Sequence, residues 1–208
     1  MNDMNITLAS DSPRRKQLLG LLVPEFKAVS HKVNEDEYQG ATAEDLVGQL
    51  AMAKATSIEP PDGGIVIGSD LMVVKRDKFM SKPKDLEQAR EYLKLLSGKT
   101  HSVFCSVAVA SQDKVLMSVA SSWVGMKKYD EKIIDAYIKK FHVLDKGGAY
   151  AIQFELPGYG SLVEHFGGGI TTIIGLPLDH LENLLKEFEV KPKADWSKQC
   201  KIETGYDY

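Results

Sequence analysis

Residues 8–15 read LASDSPRR, and this stretch decides how the chain begins to fold. The apolar run over Asn5–Ala9 predicts a short strand. Asp11 or Ser12 then opens a helix over Ser12–Leu22, with Pro13 at its first position, where a missing N–H costs nothing. A strand that feeds a helix through so short a link is the building unit of an α/β fold. The same stretch sets an electrostatic problem. The start of a helix is the positive end of its macrodipole and disfavours cations by about 0.3–1 kcal/mol each, yet Arg14 and Arg15 stand in that first turn. Either a polyanion occupies the space in front of the helix, or both side chains reach into solvent or pair with surface carboxylates.

Working outward, Pro24–Val29 predicts a second strand. Ala43–Ser57 carries apolar residues at helical spacing, with Thr42 and Asp45 as a capping pair. Ile65–Ile67 is a β-branched run that ends at Ser69–Asp70, and Met72–Arg76 continues as a strand towards a turn near Asp77–Lys78. Asp85 caps a helix over Leu86–Leu96 that stops at Ser97–Gly98. His101–Ala110 and Val115–Lys127, joined by Ser111–Lys114, read as an antiparallel hairpin. Asp130 opens a helix over Glu131–Lys140. Strands are expected over Gly147–Phe154 and Ser161–Phe166, and Pro177 starts an amphipathic helix to about Phe188. Strands alternate with helices, which predicts an α/β fold with a mixed sheet in one domain over residues 1–190. Residues 191–208 read as a polar, unpatterned tail.

Composition narrows the function. Hydrophobic residues at 43% and charged residues at 26% are ordinary globular values, and a net charge of −3 lacks the basic balance of a general nucleic-acid binder. No apolar run is long enough to span a bilayer, and Met1–Ile6 lacks a secretory pattern. Cys105 and Cys200 stand far apart and fit no metal-ligand spacing, which suits a reducing, cytoplasmic setting with Cys105 buried and Cys200 in the tail.

Several chemistries drop out for want of their motifs. GxxxxGK[ST], GxGxxG after a strand, HExxH and GxSxG are all absent. What remains is a set of charges. A helix start after a strand presents unpaired N–H groups to an anion, and arginine's planar fork suits phosphate oxygens. Asp70 follows an apolar strand, where it is either a turn former or a carboxylate that needs a partner or a metal. Glu35, Asp36 and Glu37 form a second acidic cluster, or a solvated loop. Lys54 and Lys82, taken singly, read as surface lysines.

Taken together, LASDSPRRKQLL at 8–19, VNEDE at 33–37, LAMAKA at 50–55, IGSD at 67–70, SKP at 81–83, LLSGKTHSV at 95–103, DKGGAYAIQ at 145–153 and IIGLPL at 173–178 resemble the Maf (septum formation inhibitor-like) family of nucleoside triphosphate pyrophosphatases. The resemblance covers roughly residues 5–188. It implies an elongated α/β/α protein with a mixed sheet and a cleft between two lobes. It also implies hydrolysis of a nucleoside triphosphate to the monophosphate and pyrophosphate with a divalent metal, Mg²⁺ or Mn²⁺, and a homodimer. Carried over by position, Ser10, Arg14, Arg15, Lys54 and Lys82 are the phosphate-binding set. Asp70 is the proton acceptor and Glu35 a metal or catalytic carboxylate, so that Glu35 and Asp70 are also the candidate metal ligands.

SPRR and Gln153 resemble the branch acting on dTTP and UTP. Leu71 stands where that branch usually has Thr, Gly147 where Ala is usual, Phe154-Glu155 where Gly commonly follows, and Gly169 and Thr172 where Asp and Asn are common. These departures bear on the base more than on the reaction. They leave open the 7-methyl-GTP branch of the family and, from a different class, a nucleotide-sensing regulator of cell division that binds without hydrolysing.

Overall fold

A computed structural model describes residues 5–204, with side chains through Lys201. In chain order the elements are β1 (Ile6–Ala9), α1 (Pro13–Leu22), β2 (Lys27–Val29), α2 (Ala43–Thr56), β3 (Ile65–Lys75), β4 (Lys78–Met80), α3 (Leu86–Leu96), β5 (Thr100–Ala110), β6 (Val115–Met126), α4 (Glu131–Lys140), β7 (Glu155–Leu156), β8 (Gly160–Ser161), β9 (Val163–Gly167), α5 (Ile170–Ile174), α6 (Leu178–Glu187) and α7 (Trp196–Thr204). The strands form a mixed seven-stranded sheet in the order β2-β1-β3-β5-β6-β9, with β4 on β3, and β7 pairs with β8 separately. Both neighbours of β1 run parallel to it, whereas β4 and β9 are antiparallel to their partners. The α/β class and the mixed sheet are as the sequence predicts. Among the described residues no helix is long and apolar enough to cross a membrane.

The helix starts follow from their caps. Ser12 caps α1 with Pro13 behind it. Thr42 Oγ1 accepts from Asp45 N at 3.1 Å, and Asp45 Oδ2 in turn accepts from Ala41 N at 3.1 Å. Asp85 and Asp130 cap α3 and α4 through Gln88 N and Ile133 N. Each such side chain satisfies a donor the helix cannot pair internally, worth about 1 kcal/mol.

The chain divides into two compact units. The first takes the residues up to Asp70, 105–120 and those from Gly169; the second takes 71–104 and 121–168. In the first, Leu8, Val66, Ile67, Leu19, Leu22 and Val47 are all buried. A patch of small residues, Ala51 and Ala55 on α2 with Ala108 and Ala110 on β5, forms part of this core. In the second, Met80, Leu93, Leu96, Ile134 and Tyr137 are buried; α3 packs on α4 and on the 3-10 turn at 147–149.

Three expectations are corrected. Residues 65–75 form one continuous strand, not a run that stops at Ser69–Asp70. The sheet carries the strand on past the end of β1, between its pairing with β1 over Ile65–Ile67 and with β4 over Val73–Lys75, which overrides the weak strand preference of Gly-Ser-Asp. Gly147–Phe154 is not a strand, because Gly148 and Ala149 take φ values of 69° and 64°, which no strand accommodates. The segment after Lys191, expected to be an unpatterned tail, carries α7, with Trp196 and Cys200 buried.

Candidate active site

Six of the nine candidate residues lie in the first unit, and the fold explains how they are held. β1 pairs with β3 in the register Ile6–Ile65, Thr7–Val66 and Leu8–Ile67. β1 stops at Ala9, so β3 continues past its end, and Asp70 lies beside the turn where the chain enters α1. Side chains alternate along a strand, which places Asp70 on the same face as Gly68. Helix α2 lies directly on Gly68: a Cβ there would fall 2.4 Å from the Ala51 carbonyl oxygen and 2.5 Å from Ala55 N. That approach brings Lys54 onto Asp70.

Lys54 is 1% exposed, not the surface lysine that its helix position alone suggests. Its Nζ donates to Asp70 Oδ1 at 2.6 Å and lies 2.7 Å from Glu35 Oε1. Asp70 is buried, while Glu35 is half-buried on a 3-10 turn over Glu35–Glu37. One ammonium thus joins two carboxylates from distant segments. A buried charge without such a partner costs several kcal/mol. Of the three adjoining acids it is Glu35 that faces Lys54; Glu37 Oε1 instead accepts from Asn34 Nδ2 at 2.9 Å, and Asp36 and Glu37 are exposed.

At the start of α1, Ser10 Oγ accepts Ser12 N at 3.2 Å and so shapes the turn into the helix. Arg14 and Arg15 are both partly exposed. Arg15 Nε donates to the Gly175 carbonyl at 2.9 Å, and the same oxygen accepts Ser69 Oγ at 3.0 Å. Gly175 has φ of 123°, a conformation that favours glycine. Arg15 is therefore tied through one carbonyl to the residue beside Asp70.

Cys105 lies 3.7 Å from Ser69 Oγ. Burial pushes its thiol up to about 12, opposed first by the Arg15 guanidinium. A thiol so held is no nucleophile at neutral pH.

The remaining candidates belong to the second unit. Leu71 follows Asp70 on β3, and its Cδ2 lies 2.9 Å from where a Cβ on Gly147 would be. Lys82 and Gln153 are exposed on irregular segments.

One neighbour escaped the sequence reading. His31 Nε2 lies 3.7 Å from Glu35 Oε1, and His31 Nδ1 accepts Val33 N at 3.3 Å, so the proton sits on the nitrogen facing the carboxylate. The four-residue spacing of His31 and Glu35 was the available signal.

Among the described residues no three His, Cys, Asp or Glu side chains cluster as a metal cage. Glu35 and Asp70 do offer two hard oxygen donors that already share a cation. Such a pair suits Mg²⁺ or Mn²⁺, which takes its other ligands from water and substrate phosphates.

Comparison with known proteins gives the chain its family. Residues 5–188 match the family described as Maf-like protein. A dTTP/UTP pyrophosphatase from Bacillus cereus is 38% identical over 191 residues, spanning 91% of this chain and 92% of that protein. One from Bacillus anthracis is 37% identical over 187 residues, spanning 89% and 96%. Among solved structures, a HAM1 protein from Coxiella burnetii has a TM-score of 0.48 at 14% identity, covering 89% of this chain and 100% of that one. The chain belongs to the Maf-like protein family.

Proposed function

We propose that the protein is a nucleoside triphosphate pyrophosphatase that hydrolyses dTTP and UTP to the monophosphate and pyrophosphate. The observation that carries this reading is Lys54 Nζ, held at 2.7 and 2.6 Å between Glu35 and Asp70 beside a helix start that bears Arg14 and Arg15. The similarity to dTTP/UTP pyrophosphatases along almost the whole chain supports it.

In this reading a water oxygen attacks the α-phosphorus, the bond to the bridging oxygen breaks, and pyrophosphate leaves. Such a reaction asks the protein mainly for positioning and charge. Arg14, Arg15 and Lys82 bind the phosphates, and the first-turn N–H groups of α1 face them with Ser10. Asp70 takes the proton of the attacking water, and Lys54 fixes its carboxylate. Glu35 and Asp70 hold the divalent cation, which when bound neutralises phosphate charge and makes water more acidic. Leu71 and Gln153 bear on the choice of base.

The test is a panel of canonical and modified triphosphates with Mg²⁺ or Mn²⁺, scored by pyrophosphate release. The expected result is turnover of dTTP and UTP that is lost on chelation and lost in Asp70→Asn. Turnover of 7-methyl-GTP in their place overturns the pyrimidine assignment. Tight triphosphate binding without product overturns hydrolysis and identifies a nucleotide sensor.

A further inference from the structure

Helix α1 is charged against its own dipole. Arg14, Arg15 and Lys16 occupy its first turn with no acid among them, and its last turn has no base. A cation at the far end would offset part of that conflict. The chain supplies one from outside the helix. Of the last four carbonyls of α1, Leu19 O accepts Val23 N within the cap. Gly20 O accepts Lys193 Nζ at 2.8 Å, and Leu22 O accepts Lys193 N at 2.8 Å.

Lys193 lies beyond residue 188, where the family match ends. Its segment is fastened on both sides. Trp196 is 7% exposed, and its indole N–H donates to Glu182 Oε2 on α6 at 2.9 Å. That bond is the main reason the Glu182 carboxyl is held below its usual value. Cys200 is fully buried, and α7 packs against α1.

We propose that residues 191–200 are a strap that positions Arg14 and Arg15 for a polyphosphate by holding the opposite end of their helix, with Lys193 as the positioning residue. The inference rests on the reading of those arginines as phosphate ligands. A ten-residue helix is a rod of roughly 15 Å, so fixing its C-terminal end fixes where its first turn points. Coupling between two sites is reciprocal: a docked strap favours the bound polyphosphate, and a bound polyphosphate favours the docked strap.

The experiment measures KM and kcat for dTTP separately in the full-length chain, in Lys193→Met, in Lys193→Arg and in a truncation after residue 190. Limited proteolysis of the C-terminal segment, with and without inorganic pyrophosphate and Mg²⁺, supplies a readout independent of turnover. Lys193→Met is expected to raise KM about two- to fivefold with kcat unchanged, and Lys193→Arg to restore KM. The truncation should raise KM further, and pyrophosphate should slow cleavage of the strap in the full-length chain. If the truncation fails to fold, the Met and Arg variants and the proteolysis decide. Normal turnover with an unchanged KM in Lys193→Met, or strap cleavage indifferent to pyrophosphate, overturns the strap alone. A full-length chain that turns over no triphosphate overturns the functional reading and the strap with it.

Discussion

Gly68 on β3 lies directly beneath Ala51 on α2: a Cβ on the glycine would come within 2.4 Å of the alanine carbonyl oxygen. The obstacle is backbone, not a flexible side chain, so helix or strand must move to admit a methyl group. Gly68→Ala should therefore cost about 1–3 kcal/mol of stability and lengthen the reach from Lys54 to Asp70. Thermal unfolding should show a lower Tm, with dTTP turnover reduced more than tenfold at temperatures where the variant is still folded. A variant with native Tm and native turnover would refute the close-packing account.

Lys54 and Asp70 should behave as a buried pair whose halves cannot be removed one at a time. Lys54→Met leaves the Asp70 carboxylate buried without its ammonium, which costs about 3–5 kcal/mol, whereas replacing both charges with apolar groups costs far less. In urea unfolding, Lys54→Met is expected to be markedly destabilised, and Lys54→Met with Asp70→Leu to recover most of the loss. Neither should release pyrophosphate. Equal destabilisation in the single and double variants would show that the two charges are not coupled.

Leu71 and Gly147 share one space. An added Cβ on Gly147 is crowded by the far end of the Leu71 side chain, 2.9 Å from Cδ2, which can rotate aside, and meets the Met80 carbonyl oxygen at an ordinary 3.6 Å. Gly147→Ala should therefore leave stability within about 1.5 kcal/mol of the parent. Leu71→Thr removes that methyl and introduces a hydroxyl near the proposed base site; one hydrogen bond of roughly 0.5–1.5 kcal/mol would raise kcat/KM for dTTP relative to 7-methyl-GTP. The ratio measured in competition should rise about 2- to 13-fold. An unchanged ratio would place Leu71 away from the base.

His101 supplies a pH dependence. It is buried, its Nε2 lies 2.7 Å from the Tyr150 hydroxyl, and burial, followed by the nearby Lys75 charge, lowers it from 6.5 to about 4. Between these values the unfolded chain binds the proton and the folded chain does not. Stability is therefore complete above about pH 6.5 and declines as the pH falls towards 4, by roughly 3 kcal/mol in all. Urea midpoints at pH 7.5 and 4.5 should differ by more in the parent than in His101→Gln, and identical differences would exclude His101 as the source.

Much of the architecture is legible in local chemistry. The Asp85 cap and the Ser97–Gly98 stop frame α3, and Asp130 marks the start of α4; the structure places both helices over the same residues that the sequence indicates. What was not legible depends on partners remote in sequence. Gly-Ser-Asp at 68–70 looks like the end of a strand until β1 pairs the residues before it and β4 those after it. Lys54 looks like a surface residue until Gly68 lets its helix settle onto the sheet. The left-handed backbone at Gly148 and Ala149 turns an apparently strand-like run into a tight bend. Residues 196–204 are too polar to signal a helix, and α7 forms where Trp196 and Cys200 find buried sites in the first unit.

The arrangement around Cys105 decides how the centre meets electrophiles. Enclosed beneath Ser69 and kept protonated, its sulfur is shielded from peroxide and from alkylating agents alike. The charged groups beside it can thus keep their working geometry under oxidative stress that would disable an enzyme with an accessible thiolate.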